Sequence, residues 1–168
     1  MDKSQAVIEF LLGLDGQTSG CDQIKNNALF FNFLTVNDND KQFLTVANDK
    51  SLNRTYLDGS VLKRFTFTIV DYRSIAYQAV VKQAGYLDKN ENLVEYLDVQ
   101  GIIDWITEQS HQKHYPNFGN TCIIEDMRTL TDNPNLNGVD TSIQPTLAKY
   151  SMSIQIDYID TETKFWNN

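Results

Sequence analysis

The chain has 168 residues, with 22 acidic and 14 basic side chains and a formal net charge of -8 at neutral pH. This length predicts one domain with its own core. The negative charge excludes a protein that holds nucleic acid through its phosphates, because that mode of binding needs clustered lysine and arginine, and any partner is expected to be protein.

The first element is predicted to be a helix, because apolar residues recur at the i, i+3, i+4, i+7 spacing of one helix face: Val7, Phe10, Leu11 and Leu14. Asp2 or Ser4 can cap its start, and Gly13 or Gly16 can end it. Asp2 and Glu9 interrupt the pattern of a secretory signal, and no apolar run approaches the roughly 20 residues of a membrane span. We therefore expect a protein without membrane segments that is made and kept in the cytosol.

Two strands follow a polar loop. The aromatic run Ala28 to Leu34 has strand length, the polar sequence VNDNDK favours a tight turn, and a second strand begins at Gln42. This pattern predicts a β-hairpin. The polar stretch from Asn48 to Ser60 is predicted to be an arm or loop.

The clearest strand lies after the Asp58-Gly59 turn signal. Its alternating residues place one apolar set on one face and a β-branched set on the other: Phe65, Phe67 and Ile69 against Thr66, Thr68 and Val70. We expect the first face to be packed and the second to be at least half covered.

A second helix is predicted around Trp105, with apolar residues on one stripe and beside it: Val99, Ile102, Ile103 and Ile106. Pro116 should end it shortly after His114.

Two more strands complete the chain. Asn120 to Leu130 has strand composition, Thr131 to Pro145 is rich in turn residues and is predicted to be an exposed loop, and Tyr150 to Tyr158 alternates strictly. The order α-β-β-β-α-β-β predicts an α+β fold, an antiparallel or mixed β-sheet with two helices packed on one face. We expect a single domain over 1–168, with protruding loops near 48–60 and 131–147.

Glu108, His111 and His114 share one face of the second helix and could hold zinc. The alternative is that the histidines complement the helix dipole near its C-terminus and Glu108 is an ordinary neighbour. Catalytic zinc sites carry the spacing H-E-x-x-H, which is not present, so we expect no metal.

The segment Asn133-x-Asn135-x-Asn137-Gly138 is similar to the start of a calcium loop. Such loops need Asp at the first position and Glu at the twelfth, where this chain has Asn133 and Gln144. A structural turn is the preferred interpretation.

Acidic pairs could divide acid and base roles, but Glu125 and Asp126 should point to opposite faces of a strand, and Asp38 and Asp40 lie in a predicted turn. The sequence contains no nucleophile elbow and no phosphate-binding glycine pattern. Cys21 and Cys122 are expected to be free thiols. We expect neither catalytic residues nor a cofactor, and therefore no enzyme.

The run YLDGSVLKRFTFTIVDYRSIAY, Tyr56 to Tyr77, resembles the central segment of the tail terminator (tail completion) proteins of tailed bacteriophages, which are often catalogued as minor capsid proteins. The order of the elements is similar as well, from the N-terminal helix to the helix around Trp105 and the final strand. The similar order of elements covers most of the chain, whereas the similarity of the amino-acid sequence itself is confined to this run.

The resemblance implies a structural virion protein of the phage tail or neck, made in the host cytoplasm. Such proteins form rings, typically of six subunits, that cap the tail tube protein and present a surface to the connector or stopper protein of the head. The two predicted loops would then reach the neighbours, through residues Arg54, Tyr56, Leu57, Asn135, Leu136 and Asn137. An acidic lumen would let DNA pass without binding, since like charges repel.

Three alternatives remain open at this point. The chain could be another head–tail neck protein or minor capsid protein, because these also present β-rich surfaces to a ring. It could be an unrelated α+β domain of the cytosol. It could also be a small metal-dependent or acid–base enzyme that uses Glu108, His111 and His114, or Glu125 and Asp126.

Overall fold

The computed structural model describes residues 2–32, 40–74, 91–140 and 146–162. Its helices are α1 (Lys3–Leu12), α2 (Asp22–Lys25) and α3 (Glu91–His111). Its strands are β1 (Leu29–Phe31), β2 (Lys41–Thr55), β3 (Val61–Ser74), β4 (Cys122–Thr129), β5 (Asn135–Asp140) and β6 (Leu147–Asp160). They form one six-stranded mixed sheet in the order β1-β2-β3-β6-β4, with β5 also paired to β6. The fold is therefore α+β, as predicted.

The two long strands β3 and β6 form the centre of the sheet. They pair antiparallel along their whole length, from Val61 opposite Asp160 to Ser74 opposite Leu147. β2 lies antiparallel on the free side of β3. β4 and β5 share the free side of β6, with β4 opposite its C-terminal half and β5 opposite its N-terminal half. Together they make one interrupted edge.

The helices cover one face of this sheet. Phe65, Phe67 and Ile69 of β3 point toward the helices and are buried, as their alternation predicted. They share the main core with apolar residues of all three helices and of β6: Ala6, Val7, Phe10, Leu11, Ile24, Val99, Ile102, Ile103, Ile106, Met152, Ile154, Ile156 and Tyr158. The opposite face carries a small cluster, in which Leu44 packs against Val70, Tyr72 and Leu147.

Helix α1 begins and ends at the residues that the sequence offered for its caps. The carboxylate of Asp2 accepts hydrogen bonds from the backbone N–H of Ser4 at 2.7 Å and of Gln5 at 3.2 Å. Gly13 ends the helix in the left-handed conformation with φ 73°. A Cβ at Gly13 would lie 2.7 Å from the backbone nitrogen of Gly20, so only glycine fits. Leu14 lies beyond this cap and is exposed, so its predicted place on the apolar stripe is wrong.

Helix α3 confirms the predicted second helix. Its apolar residues are buried against the sheet, and the ring of Trp105 lies 5.0 Å from that of Phe10 on α1. The helix ends at His111, before Pro116. None of the helices in the described ranges is long and apolar enough to cross a bilayer.

The predicted hairpin between Ala28–Leu34 and the strand from Gln42 is wrong. β1 covers only Leu29–Phe31 and pairs with β2 in parallel. This pairing sets the ring of Phe31 5.9 Å from that of Phe43, which in turn stacks 4.9 Å from Phe67. The aromatic packing thus gives the parallel arrangement an apolar contact of its own. The predicted turn lies largely outside the described residues, which omit 33–39.

Both predicted loops contain strand. β2 extends to Thr55 and leaves only 56–60 as a turn, and β5 occupies Asn135–Asp140. Residues 141–145 lie outside the described ranges. Polar sequences form strands here because the adjacent edges of β3 and β6 supply backbone hydrogen-bond partners, which outweigh the weak strand propensity of asparagine and glycine.

Replacing Phe67 by alanine should lower the free energy of unfolding by about 3–5 kcal/mol, because it leaves a cavity among packed rings. Urea unfolding followed by circular dichroism measures the loss. Leu57→Ala is the matched control, since Leu57 is fully exposed and its loss should change stability by no more than about 0.5 kcal/mol. Equal losses in the two variants would contradict this assignment of the core.

Candidate functional site

The turn between β2 and β3 is held by its own polar groups. The backbone N–H of Tyr56 donates to the carbonyl of Ser60 at 2.8 Å. The carboxylate of Asp58 accepts from the backbone N–H of Ser60 at 3.0 Å and from its hydroxyl at 2.6 Å. Gly59 takes a positive φ of 86°. These bonds fix a tight turn that presents Leu57 to solvent, and the Leu57 side chain is 100% exposed.

An apolar surface surrounds this turn. A hollow of about 440 Å³ lies between the turn and the ends of β4 and β6, and its lining includes Tyr56, Leu57, Ile123 and Ile159. Ile123 pairs with Ile159 and is itself 52% exposed. The guanidinium of Arg54 lies 5.5 Å from the centre of the Tyr56 ring. We call Arg54, Tyr56, Leu57, Ile123 and Ile159 the tip surface.

A second exposed surface lies on β5. Leu136 and Val139 pair with the buried Tyr150 and Ala148 of β6, but they stand at the edge of the sheet and are about half exposed. Asn135 is opposite Ser151, and the Asn137 side-chain amide donates to the hydroxyl of that same serine. We call the exposed residues Asn135, Leu136, Asn137 and Val139 the β5 surface.

The segment before β5 is attached to α3. The Tyr96 hydroxyl donates to the side chain of Asn133 at 3.2 Å, and the Gln100 amide donates to the carbonyl of Asp132 at 2.9 Å. The β5 surface is therefore positioned by both β6 and α3, and it is not a free loop.

The six residues predicted as interface fall into two groups that the structure keeps apart. The turn beside Arg54, Tyr56 and Leu57 adjoins the Asp160 end of β6, whereas Asn135 pairs with Ser151. Nine residue positions along β6 separate Asp160 from Ser151, which corresponds to about 30 Å. The chain thus carries two separate surfaces.

The residues considered for zinc do not form a site. Glu108, His111 and His114 are all exposed. The Glu108 carboxylate accepts from Gln112, and the His114 ring lies 3.3 Å from the Gln109 side-chain oxygen. No three His, Cys, Asp or Glu side chains converge anywhere in the described part of the chain.

The segment considered for calcium has a different conformation from a calcium loop. The Asn133 side chain accepts a hydrogen bond from the Tyr96 hydroxyl, whereas Asn135 and Asn137 belong to strand β5. Gln144 lies outside the described residues. The prediction of a structural turn for this segment is therefore wrong, because most of the segment belongs to strand β5.

The acidic pairs and cysteines show no arrangement for catalysis. Asp126 lies 3.5 Å from Arg128 on the surface, Glu125 is exposed, and Asp38 lies outside the described residues. Cys21 is buried and free, and burial raises the pKa of its thiol to about 11. At neutral pH this thiol is protonated and a poor nucleophile.

The sequence reasoning missed a buried cluster of charges under the N-terminal half of α3. The Asp71 carboxylate accepts two hydrogen bonds from the Arg73 guanidinium, at 2.9 and 3.0 Å, and lies 3.3 Å from the Lys41 ammonium. Arg73 also reaches α3, with contacts of 3.0 Å to Glu95 and 2.5 Å to Asp98. Arg73 thus joins the sheet to the helix through three carboxylates.

Burial sets the direction of the pKa shift for Asp71 and Lys41 in this cluster, but not for Arg73. It raises the pKa of Asp71, against the lowering effect of Lys41 and Arg73, and it lowers the pKa of Lys41. Burial would also lower the pKa of Arg73, but hydrogen bonds and charges from Asp71 and Asp98 outweigh it and raise that pKa. Alternation could have located the cluster, because positions 71 and 73 continue the buried face of Phe65, Phe67 and Ile69.

An ion pair also lies at the opposite end of the sheet, where Val61 of β3 is paired with Asp160 of β6. The Lys63 ammonium lies 2.6 Å from the Asp160 carboxylate. Burial would raise the pKa of Asp160, but the hydrogen bonds from Lys63 and from the backbone N–H of Glu162, with the charge of Lys63, hold it below its ordinary value.

The fold and these surfaces define a mixed α+β domain with one sheet face under helices and exposed apolar residues at separate ends of the sheet. A scan against protein-family models finds no match to the chain, and neither does a search of curated proteins.

Replacing Arg73 by methionine should lower the free energy of unfolding by about 3–5 kcal/mol, because the buried Asp71 loses its bidentate partner. Denaturant unfolding at neutral pH measures the effect. Arg128→Met is the matched control, since Arg128 and Asp126 are both about half exposed and their pair should contribute no more than about 1 kcal/mol. A loss no greater than that of the control would contradict a stabilising role for the cluster.

Replacing Asp160 by asparagine should destabilise the fold near neutral pH and have little effect in acid. The folded pKa of Asp160 lies below the ordinary 3.8, so its contribution is present above 3.8 and is lost as the pH falls through the folded value. The free energies of unfolding of the wild type and the variant, measured across this pH range, should become equal in acid. In a Lys63→Met background the same substitution should show a much smaller dependence on pH, and an unchanged dependence would assign the effect to another group.

Proposed function

We propose that the chain is a structural virion protein of a tailed bacteriophage, a tail terminator that forms a ring, caps the tail tube and joins it to the head connector. The observation that carries the proposal is the resemblance of the run Tyr56 to Tyr77. In the described part of the chain, this run comprises the turn of the tip surface and strand β3, the centre of the sheet. The resemblance therefore lies in the part on which both the core and an exposed surface depend.

The separation of the two exposed surfaces supports an assembly subunit that contacts more than one neighbour. A head-to-tail ring needs two different patches on each subunit, because every copy contacts one neighbour with one patch and the other neighbour with another. The tip surface and the β5 surface lie about 30 Å apart along β6 at 3.3 to 3.4 Å per residue. A terminator also contacts the tube and the head connector, and several separate surfaces suit that role.

The net charge supports a lumen through which DNA passes. Each copy carries a formal charge of -8, so a ring of several copies is strongly acidic. An acidic wall repels phosphates and would not retain the DNA during its passage. On this proposal the DNA is cargo in transit and not a specific ligand.

The proposal is tested by locating a tagged copy of the protein in phage particles by electron microscopy. A tag at the chain terminus should label the head-proximal end of the tail, as a ring around the tail axis. Label on the capsid would replace the terminator with a minor capsid protein, and label elsewhere in the neck would indicate another head–tail joining protein. A tagged protein that restores phage growth but leaves the particles unlabelled would contradict a virion role altogether.

A further inference from the structure

The tip surface has the chemistry of a group that inserts into a neighbour. Leu57 projects from a turn that is fixed by hydrogen bonds, and burying a leucine stabilises a contact in proportion to the apolar area covered. Arg54 precedes the turn at the end of β2, its guanidinium lies over the Tyr56 ring, and it makes no ion pair within the described residues. The projection thus combines an apolar side chain with a positive charge.

A hollow of complementary chemistry lies beside α1, which packs on the helix-covered face of the sheet. It measures about 520 Å³ and lies between α1 and β1, with Ile8 and Phe31 as apolar lining and Asp2 and Glu9 as acidic lining. Phe31 is 50% exposed there. We call this the α1 hollow.

Glu9 is the better partner for an incoming cation. The Asp2 carboxylate already accepts two backbone N–H groups as the cap of α1. Within the described residues, the Glu9 carboxylate accepts one side-chain hydrogen bond, from the Gln5 amide at 2.8 Å. An ionised carboxylate has room for further donors, so it can also receive a guanidinium.

The two parts lie on opposite faces of the sheet. Arg54 is directly opposite Leu62, and directly paired residues of antiparallel strands share a face of the sheet. By alternation from Phe65, Leu62 points away from the helices, whereas α1 packs on the helix-covered face. Within one copy, Arg54 and Glu9 therefore lie on opposite faces of the sheet.

We propose that the tip surface of one copy docks into the α1 hollow of the next copy, with Leu57 against Ile8 and Phe31 and with Arg54 beside Glu9. The inference rests on the proposed ring, for which it names one subunit contact. The contact joins two different surfaces, so each copy retains a free projection and a free hollow until the assembly closes. The β5 surface is then left for a different partner, the tube or the head connector.

The apolar part of the contact is tested by the self-association of the full chain, measured by sedimentation velocity over a range of concentrations. Leu57→Gln should weaken association by roughly tenfold or more, from the lost burial of one leucine. Leu97→Gln is the matched control, since Leu97 is a 55% exposed leucine on α3 and should leave association unchanged. Equal effects of the two substitutions would overturn the docking.

The charged part is tested by reversing the pair. Arg54→Glu and Glu9→Arg should each weaken association, and the double variant should restore it, because every contact then carries the reversed pair. Mixing the two single variants should also restore it, since each projection finds an opposite charge in the hollow of the other variant. Circular dichroism of each variant confirms that it is folded, and failure of both combinations to restore association would overturn the pairing of Arg54 with Glu9.

The outcome is separable from that of the electron microscopy. A wild-type chain that remains monomeric at every concentration it tolerates would overturn this contact, even if tagged copies still mark the end of the tail. Association that depends on Leu57 and Arg54, in a protein whose tag labels no particle, would support the contact and refute the phage assignment.

Discussion

The position of helix α3 depends on the buried guanidinium of Arg73. The sheet supplies Asp71 and the helix supplies Glu95 and Asp98, and one planar group holds all three carboxylates. Taking charges out of water is costly, so such a cluster is favourable only when its members are well paired. Moving the helix along the sheet would separate Glu95 and Asp98 from the guanidinium, which would then keep only Asp71 as its partner. The same helix holds the segment before β5, through Tyr96 and Gln100.

The aromatic side chains form a second set of contacts, which runs across the strands of the sheet. Ring contacts run from Phe31 on the edge strand through Phe43 and Phe67 to Phe65, and on through Phe118 to Tyr158: their centroids are 4.9 to 6.3 Å apart. This row ties the short β1 to the centre of the sheet and leaves part of Phe31 exposed beside α1. The α1 hollow thus lies where the aromatic row ends, at the partly exposed Phe31 of the edge strand β1.

The strong periodic patterns in the sequence predicted the centre of the fold, and the weak ones failed at its edges. β3, β6 and both main helices follow from alternation and helical spacing, since burial on one side selects those patterns directly. β1 pairs with β2 in parallel and Phe31 packs on Phe43, a contact between neighbouring strands that the turn residues between them do not indicate. β5 forms from Asn135 to Asp140 because β6 has a free edge there, which is again a tertiary effect. Of the candidate site, exposure of Leu57 and Leu136 was expected, but the acidic hollow required the packing of α1 against β1.

The projecting side of the proposed contact uses residues on which folding does not depend. The core contains none of the side chains of the tip surface, so the chain can fold with Leu57 in water. The hydrogen bonds of Asp58 keep that turn ordered beforehand, which reduces the entropy lost on docking. An isolated contact of one leucine and one ion pair is weak, but a closed ring forms as many of these contacts as it has subunits. If the proposed docking holds, association would be strongly favoured once a template such as the end of a tube gathers the copies, and the free chain would be in equilibrium between monomer and short oligomers.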